Sequence, residues 1–406
     1  MSTGTTTPAT SVSGQRNLWL LFGAQSLGGA SPPIIISLGG LVGMQLASDQ
    51  DLATLPVSLF NLGLALSTIP AAMLMRYLGR RPAYVLGALM AICAGLLAAW
   101  GIAQKNFMLF CLGTALSGFY AACVQNYRFA ASDSVAPQLR PRAISRIMIG
   151  GLVAAVIGPQ VVIWTKDAWD GIPFAGSFVS QAGLALLALP LLLSLRLPSL
   201  QFAADSGTAR PLLAIARQQR FVVAVIAGIV SYGLMAFIMT AAPMAMVASG
   251  FSSGQATLGI QWHVLAMFGP SFITGNLISR FGKISITAAG LIIIGLSGVL
   301  AMLGTGLFHF WGSLILLGIG WNFGFIGATA LVTDTYNQAE RSKAQAMNDF
   351  LIFGTVAAGS FSSGYLLNNI GWFKINLFML PVIAAVLLLL LWLQLTGNRA
   401  GYRSAQ

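Results

Sequence analysis

The chain has 406 residues, of which 57% are hydrophobic and only 7% are charged. Soluble domains carry about 25% charged residues, so the composition excludes a soluble globular protein. The net charge of +12 does not call for nucleic acid, because the bases of a membrane chain gather in its cytoplasmic loops and orient it.

In chain order, the opening stretch "MSTGTTTPATSVSGQR" is polar and rich in Ser and Thr. It lacks an apolar core, so residues 1–16 are read as a disordered cytoplasmic tail and not as a cleaved leader. Beyond it, each crossing of a bilayer needs about 20 apolar residues. Breaks at charge clusters and at Gly, Pro or Asn turns give segments at 18–46, 52–75, 82–103, 107–131, 144–165 and 174–196. Six more follow at 221–248, 256–279, 284–305, 309–333, 347–369 and 373–396. The predicted fold is all-α and integral to the membrane, with twelve transmembrane helices. An N-terminal half spans 17–196, a cytoplasmic linker 197–220, a C-terminal half 221–396 and a cytoplasmic tail 397–406.

With both termini cytoplasmic, all of the 21 Lys and Arg residues except Lys105, Lys166 and Lys374 fall on the inner side. That asymmetry supports the count and the topology together. The halves also repeat. "DSVAPQLRPRA" (Asp133 to Ala143) and "DTYNQAERSKA" (Asp334 to Ala344) share the pattern D-x6-R-x-[R/K]-A. "MRYLGRR", ending at Arg81, is answered by "ISRFGK", ending at Lys283.

Ionisable groups within a bilayer are functional suspects. Asp49, Asp51, Asp167 and Asp170 fall at the outer ends; Asp133, Asp205, Asp334, Glu340 and Asp349 fall at the inner ends. No carboxylate is expected at mid-depth, so a proton relay is not visible. Asp133, Asp334 and Asp349 are expected to pair with neighbouring bases. No catalytic constellation or nucleotide loop occurs, so no enzyme and no cofactor are expected. Cys93, Cys111 and Cys123 lie in apolar runs without a CxxC pair and read as small buried residues.

His309 sits at an outer mouth, whereas His263 lies well inside the eighth segment. Met267 follows His263 by four residues, and Met235 and Met239 stand in the same relation in the seventh segment. Residues four apart share a helix face. At 1.5 Å of rise per residue, Met235 and Met267 stand roughly 21 and 20 Å above the inner surface, and Met239 and His263 roughly 27 and 25 Å. Thioethers favour Cu(I), and imidazole also suits copper.

Two six-helix halves with repeated cytoplasmic loops resemble the major facilitator superfamily across nearly the whole chain. Its loop signature is partly kept as Gly275, Arg280, Gly282 and Lys283, while the first copy has Ala72 and Arg76 at the glycine and acidic positions. "IGP" at 157–159 is similar to the fifth-helix signature of drug/proton antiporters, with Ala154 where a glycine is expected. M-x3-M before H-x3-M resembles the CcoA-like copper importers of that superfamily. "GWNFGFIGATALVTDTY" and "QAMNDFLIFGTVAAGS" resemble the wider branch, which also contains riboflavin carriers.

The resemblance implies a central cavity alternately open to each side of the bacterial cytoplasmic (inner) membrane, in a multi-pass chain. It implies import of copper for assembly of cbb3-type oxidases, with Met235, Met239, His263 and Met267 as the metal-binding set. Copper is then the transported substrate, the partners are a lipid bilayer and a cytoplasmic copper acceptor, and the carrier is a monomer. The alternative is a carrier of a small organic molecule, through riboflavin-like uptake or drug-like efflux. Its cavity residues would come from Trp262, Trp321, Asn322, Phe323, Gln125, Asn126 and Tyr127. A third reading, a sensor or an assembly partner of an oxidase, has no added soluble domain to support it.

Overall fold

The computed structural model describes residues 12–136, 139–197, 210–337 and 339–403. Most of the expected tail at 1–16 and half of the linker at 197–220 therefore lie outside the described residues. Every regular element is helical: α1 (Val12–Gly28), α2 (Ser31–Leu46), a single turn at Gln50–Leu52, α3 (Leu55–Leu78), α4 (Arg80–Ala103), α5 (Phe107–Asp133), α6 (Arg140–Thr165) and α7 (Ala175–Leu193). A short α8 (Leu212–Ala216) then leads into α9 (Gln219–Ala248), α10 (Ser253–Phe268), α11 (Ser271–Phe281), α12 (Lys283–Met302), α13 (Leu307–Val332) and α14 (Arg341–Arg403).

Among the described residues, ten segments are long and apolar enough to cross a membrane. One of them is the long α14, which breaks at Gly371, whose φ of 80° only glycine adopts without strain. The α10–α11 pair falls outside that set because Gly269 and Pro270 interrupt it. The freed backbone there is re-satisfied by a buried side chain. Asn322 Nδ2 donates to Met267 O at 2.6 Å and to Ser271 Oγ at 2.7 Å, and Thr274 Oγ1 donates to Asn322 Oδ1. Broken backbone inside a bilayer survives only with such partners. The first crossing is interrupted in the same way, between α1 and α2, ahead of Pro32 and Pro33.

Two apolar cores form. One gathers residues from Leu18 to Leu195 with Met244; the other gathers mostly residues from Ile215 to Leu390, with Ile36, Val57 and Ala155. Within each, helices approach through small residues, as membrane helices do where lipid gives no hydrophobic drive to pack. A Cβ on Gly118 of α5 would overlap the Leu64 amide of α3, and one on Gly290 of α12 would overlap the Gly324 amide of α13. Large apolar side chains such as Leu66, Trp164, Leu187, Phe308 and Leu388 face outward, where lipid covers them. Cys111 and Cys123 are buried as expected, but Cys93 is exposed on α4.

The repeated loops have the same job in both cores. Gly79 (φ 89°) and Gly282 (φ 87°) end one helix and start the next in a conformation L side chains avoid. The base that follows each glycine pairs with the aspartate of the repeated D-x6-R loop. Arg80 Nη2 donates to Asp133 Oδ2 at 2.7 Å, and Lys283 Nζ pairs with Asp334, which also accepts from Arg220 at 2.6 Å.

Asp349 departs from expectation. It lies inside α14, eight residues past its first residue, and among the described residues no ion pair reaches it; its Oδ1 accepts from Asn348 at 3.0 Å. Glu340 is fully covered, and Arg210 grips it through Nε at 2.6 Å and Nη2 at 2.7 Å.

Candidate functional site

A cavity of about 230 Å³ lies between the two cores. The first half contributes Gln25 and Gly28 of α1, Pro33 and Ile36 of α2, Phe60, Asn61 and Leu64 of α3, and Ile147, Met148 and Gly151 of α6. From α5 come Ala121, Val124, Gln125 and Arg128, a stripe at helical spacing with the charge at its lowest turn. The second half contributes Tyr232, Met235, Ala236 and Met239 of α9, Val264, Met267 and Phe268 of α10, and Val356 of α14.

The wall on the second half is aromatic and braced. Tyr232 meets the rings of Phe325, Trp321 and Phe353 edge-on at 5.0, 5.4 and 5.7 Å. Trp321 stacks on Phe325 at 5.3 Å and touches Phe268 at 6.1 Å. Three neighbours thus fix the Tyr232 ring, so a flat ligand meets a preformed surface. The wall on the first half carries the polar groups: Gln25, Asn61, Gln125 and Arg128.

One end of the cavity is sealed. Across the halves, Asn61 Nδ2 donates to Ser360 Oγ at 2.9 Å, Thr54 Oγ1 to Phe361 O at 3.2 Å, and Gln160 Nε2 to Gln261 Oε1 at 2.9 Å. At the rim, Asn368 donates to Gln50 O at 2.8 Å and Asn369 to Asp51 Oδ1 at 3.2 Å. A Cβ on Gly364 would sit 2.5 Å from Thr54 Oγ1, so the halves touch there without room for a side chain. The opposite, base-rich end differs. The ion pairs described there, Arg80–Asp133, Lys283–Asp334, Arg220–Asp334 and Arg210–Glu340, join no element of the first half to one of the second.

The predicted metal set divides. Met235, Met239 and Met267 line the cavity, so the matched heights on α9 and α10 do bring three side chains to one wall. His263 turns away from it. Its Nδ1 lies 2.7 Å from Leu314 O of α13, in a fully buried position outside the cavity lining. Four residues of spacing put it within about 40° of Met267, and that rotation carries the ring behind the wall. Two of the four aspartates expected at the outer ends are engaged: Asp51 with Asn369, and Asp167 with Lys166.

Of the residues proposed for an organic cargo, Gln125 lines the cavity. Trp321 stands one layer behind it, and Asn322 serves the α10–α11 break. Asn126 accepts from Tyr84 at 2.7 Å, and Tyr127 is fully buried against Tyr84. Sequence reasoning missed Tyr232, Asn61, Gln25 and the role of Arg128. Arg128 had been counted with the loop bases. The i, i+3, i+4, i+7 stripe that it ends was the available signal.

A profile of the Major Facilitator Superfamily matches residues 18–321 and 224–404. The riboflavin transporter RfnT of Brucella anthropi is 59% identical over 375 residues, 92% of this chain and 94% of that one. The uncharacterized MFS-type transporter YdeG of Bacillus subtilis is 30% identical, covering 89% of this chain and 88% of its own. Among solved structures, the nucleoside transporter NupG superposes with a TM-score of 0.69 at 14% identity, over 92% of this chain and 98% of its own. The human organic anion transporter MFSD10 gives 0.65 at 13%, over 93% and 99%. At such identities these two speak for the fold alone.

The relative from Brucella overturns the expectation of copper import and, with it, of supply to an oxidase. The physical reason is on the cavity wall. A water needs about 10–15 Å³ of such space, so 230 Å³ holds on the order of twenty. That is room for a ring compound and far more than a dehydrated ion requires. Methionines at matched heights serve an apolar wall as readily as a metal path.

Proposed function

Because the chain belongs to the major facilitator superfamily, as a multi-pass protein of the bacterial inner membrane, we propose that it takes up riboflavin or a closely similar flavin. The observation that carries this reading is the 59% identity to a riboflavin transporter across 92% of the chain. The cavity supports it. An isoalloxazine ring is flat and largely apolar, which suits the braced Tyr232 and Phe268 wall, and its edge heteroatoms need donors and acceptors of the kind Gln25, Asn61 and Gln125 hold out.

In this reading the chain crosses the membrane twelve times, with α14 and α10–α11 counted as their breaks suggest. The base-rich end faces the cytoplasm. Two rigid halves rock about the cavity, and the form described here is open inward, sealed outward. No catalytic step is part of the cycle. Thioethers and rings of low polarity hold a neutral cargo weakly enough to let it leave.

Expression in a riboflavin-auxotrophic bacterium tests the reading. Growth at low external riboflavin is the expected outcome, lost with Tyr232→Ala and kept with Tyr232→Phe, which preserves the ring. A wild-type chain present in the membrane that gives no rescue and no flavin accumulation would sink it.

A further inference from the structure

Arg128 and Asp349 are charges inside membrane-spanning helices, and each is without an ion-pair partner among the described residues. Arg128 ends the cavity stripe of α5, and its guanidinium lies over the Phe129 ring, 4.9 Å from the centroid. Asp349 stands seven residues before Val356, two turns lower on the same face of α14. That face, with Val356 lining the cavity and Ser360 bonded to Asn61, is the one turned toward the first half. The two charges therefore face one another across the open mouth, one from each half. No ion pair joins them among the described residues. Among the described residues, the other acids of that end are spoken for: Asp133 by Arg80, Asp334 by Lys283 and Arg220, and Glu340 by Arg210.

An unpaired charge in a membrane span demands a partner. Here the gap between donor and acceptor is where a cargo must pass. The cavity is thus graded: aromatic and apolar at its centre, with a strong donor and a strong acceptor at its mouth. A guanidinium has donors only and a carboxylate acceptors only. A chain of hydroxyl groups, each both donor and acceptor, bridges the two as neither a purely apolar nor a singly charged group does.

Resting on the flavin reading, we propose that Arg128 and Asp349 are the specificity-determining pair for the hydroxylated side chain of the cargo. The ring lies against Tyr232 and Phe268, and the polyol tail points to the base-rich mouth. The pair selects a flavin with a neutral polyhydroxyl tail over the bare ring, and the carboxylate of Asp349 disfavours a phosphorylated tail.

The test compares two probes on the full-length chain in lipid nanodiscs: riboflavin, and lumiflavin, which has the same ring with a methyl group in place of the polyol. Arg128→Gln and Asp349→Asn are each expected to weaken riboflavin on the order of tenfold or more, the scale of a lost hydrogen bond to a charged group, while lumiflavin changes less than about twofold. Retained lumiflavin binding also shows that the variants are folded. Asp349→Asn is further expected to improve competition by riboflavin 5′-phosphate. If both probes weaken equally in the variants, or if riboflavin is unaffected, the tail assignment is overturned while the flavin reading stands. If the wild-type chain binds neither probe, the flavin reading fails and takes this inference with it.

Discussion

At the sealed end the two halves meet mainly through neutral hydrogen bonds, Asn61 to Ser360 and Gln160 to Gln261, through a glycine that touches Thr54, and through one bond to a carboxylate, Asn369 to Asp51. At the base-rich end the bonds are ion pairs, and each stays within the first half or within the second half and its linker. The stronger class of interaction thus builds the rigid bodies, and the weaker class holds them together. An alternating carrier needs that division. A bond that must break in every cycle cannot be worth more than the cargo's differential binding to the two forms, whereas a bond inside a rocking half never breaks.

The largest expected effect comes from wedging the sealed end. Gly364→Val drives a side chain into Thr54 and shifts the population toward the outward-open form. Cysteines placed along the outer ends of α3 and α14 become reactive to an impermeant thiol reagent; unchanged reactivity would mean that the two helices part elsewhere.

Next in size is Glu340→Gln, which should lower thermal stability more than loss of any other ion pair at the base-rich end. The Arg210 guanidinium, with help from the Asn337 amide, holds the Glu340 carboxyl down at about 2, below its ordinary 4.5. Its side chain is fully covered, and hydrogen bonding outweighs the cost of burial. A depressed folded value means that the contribution is complete above about pH 4.5 and drains away as pH falls toward 2. Unfolding followed in detergent across that window should show a slope that the Gln variant lacks.

Smaller still is Asn61→Ala, which removes one neutral bond across the halves. A net loss of about 1 kcal/mol shifts the inward-to-outward ratio roughly fivefold, readable with the same thiol probes. Last comes Asp334→Asn. Its partly exposed pairs are worth about 0–1 kcal/mol each, so melting should fall slightly while the accessibility ratio stays put. A change in that ratio would show that base-rich ion pairs do take part in gating, and would break the contrast between the ends.

Much of this was legible in the chain. The seventh segment, read at 221–248, is Gln219–Ala248 in the structure, and the fourth, read at 107–131, is Phe107–Asp133. The repeated Gly-base and D-x6-R loops pair with one another, in line with the expectation that Asp133 and Asp334 pair with neighbouring bases. The four-residue ladder on α9 and α10 was also legible, and three of its members reached one wall. The fourth did not, because 40° of rotation between a lining residue and its neighbour is decided by how α10 lies on α13, a contact 51 residues away in sequence. Arg128 was hidden for a related reason. A base near a span's inner end reads as a loop charge until the neighbouring helices show that its face lines a cavity.

The sequence by itself determined which stretches enter the membrane and that the chain is built twice. Those properties depend on local apolar length and on charges whose cost in lipid is too high to misplace. Only the tertiary structure decided which faces meet, and with them the aromatic wall, the sealed end and the charges across the mouth. Helix rotation and crossing are set by the close fit of small residues such as Gly118, Gly290 and Gly364 against distant backbone and side chains, and no window of sequence contains both sides of that fit.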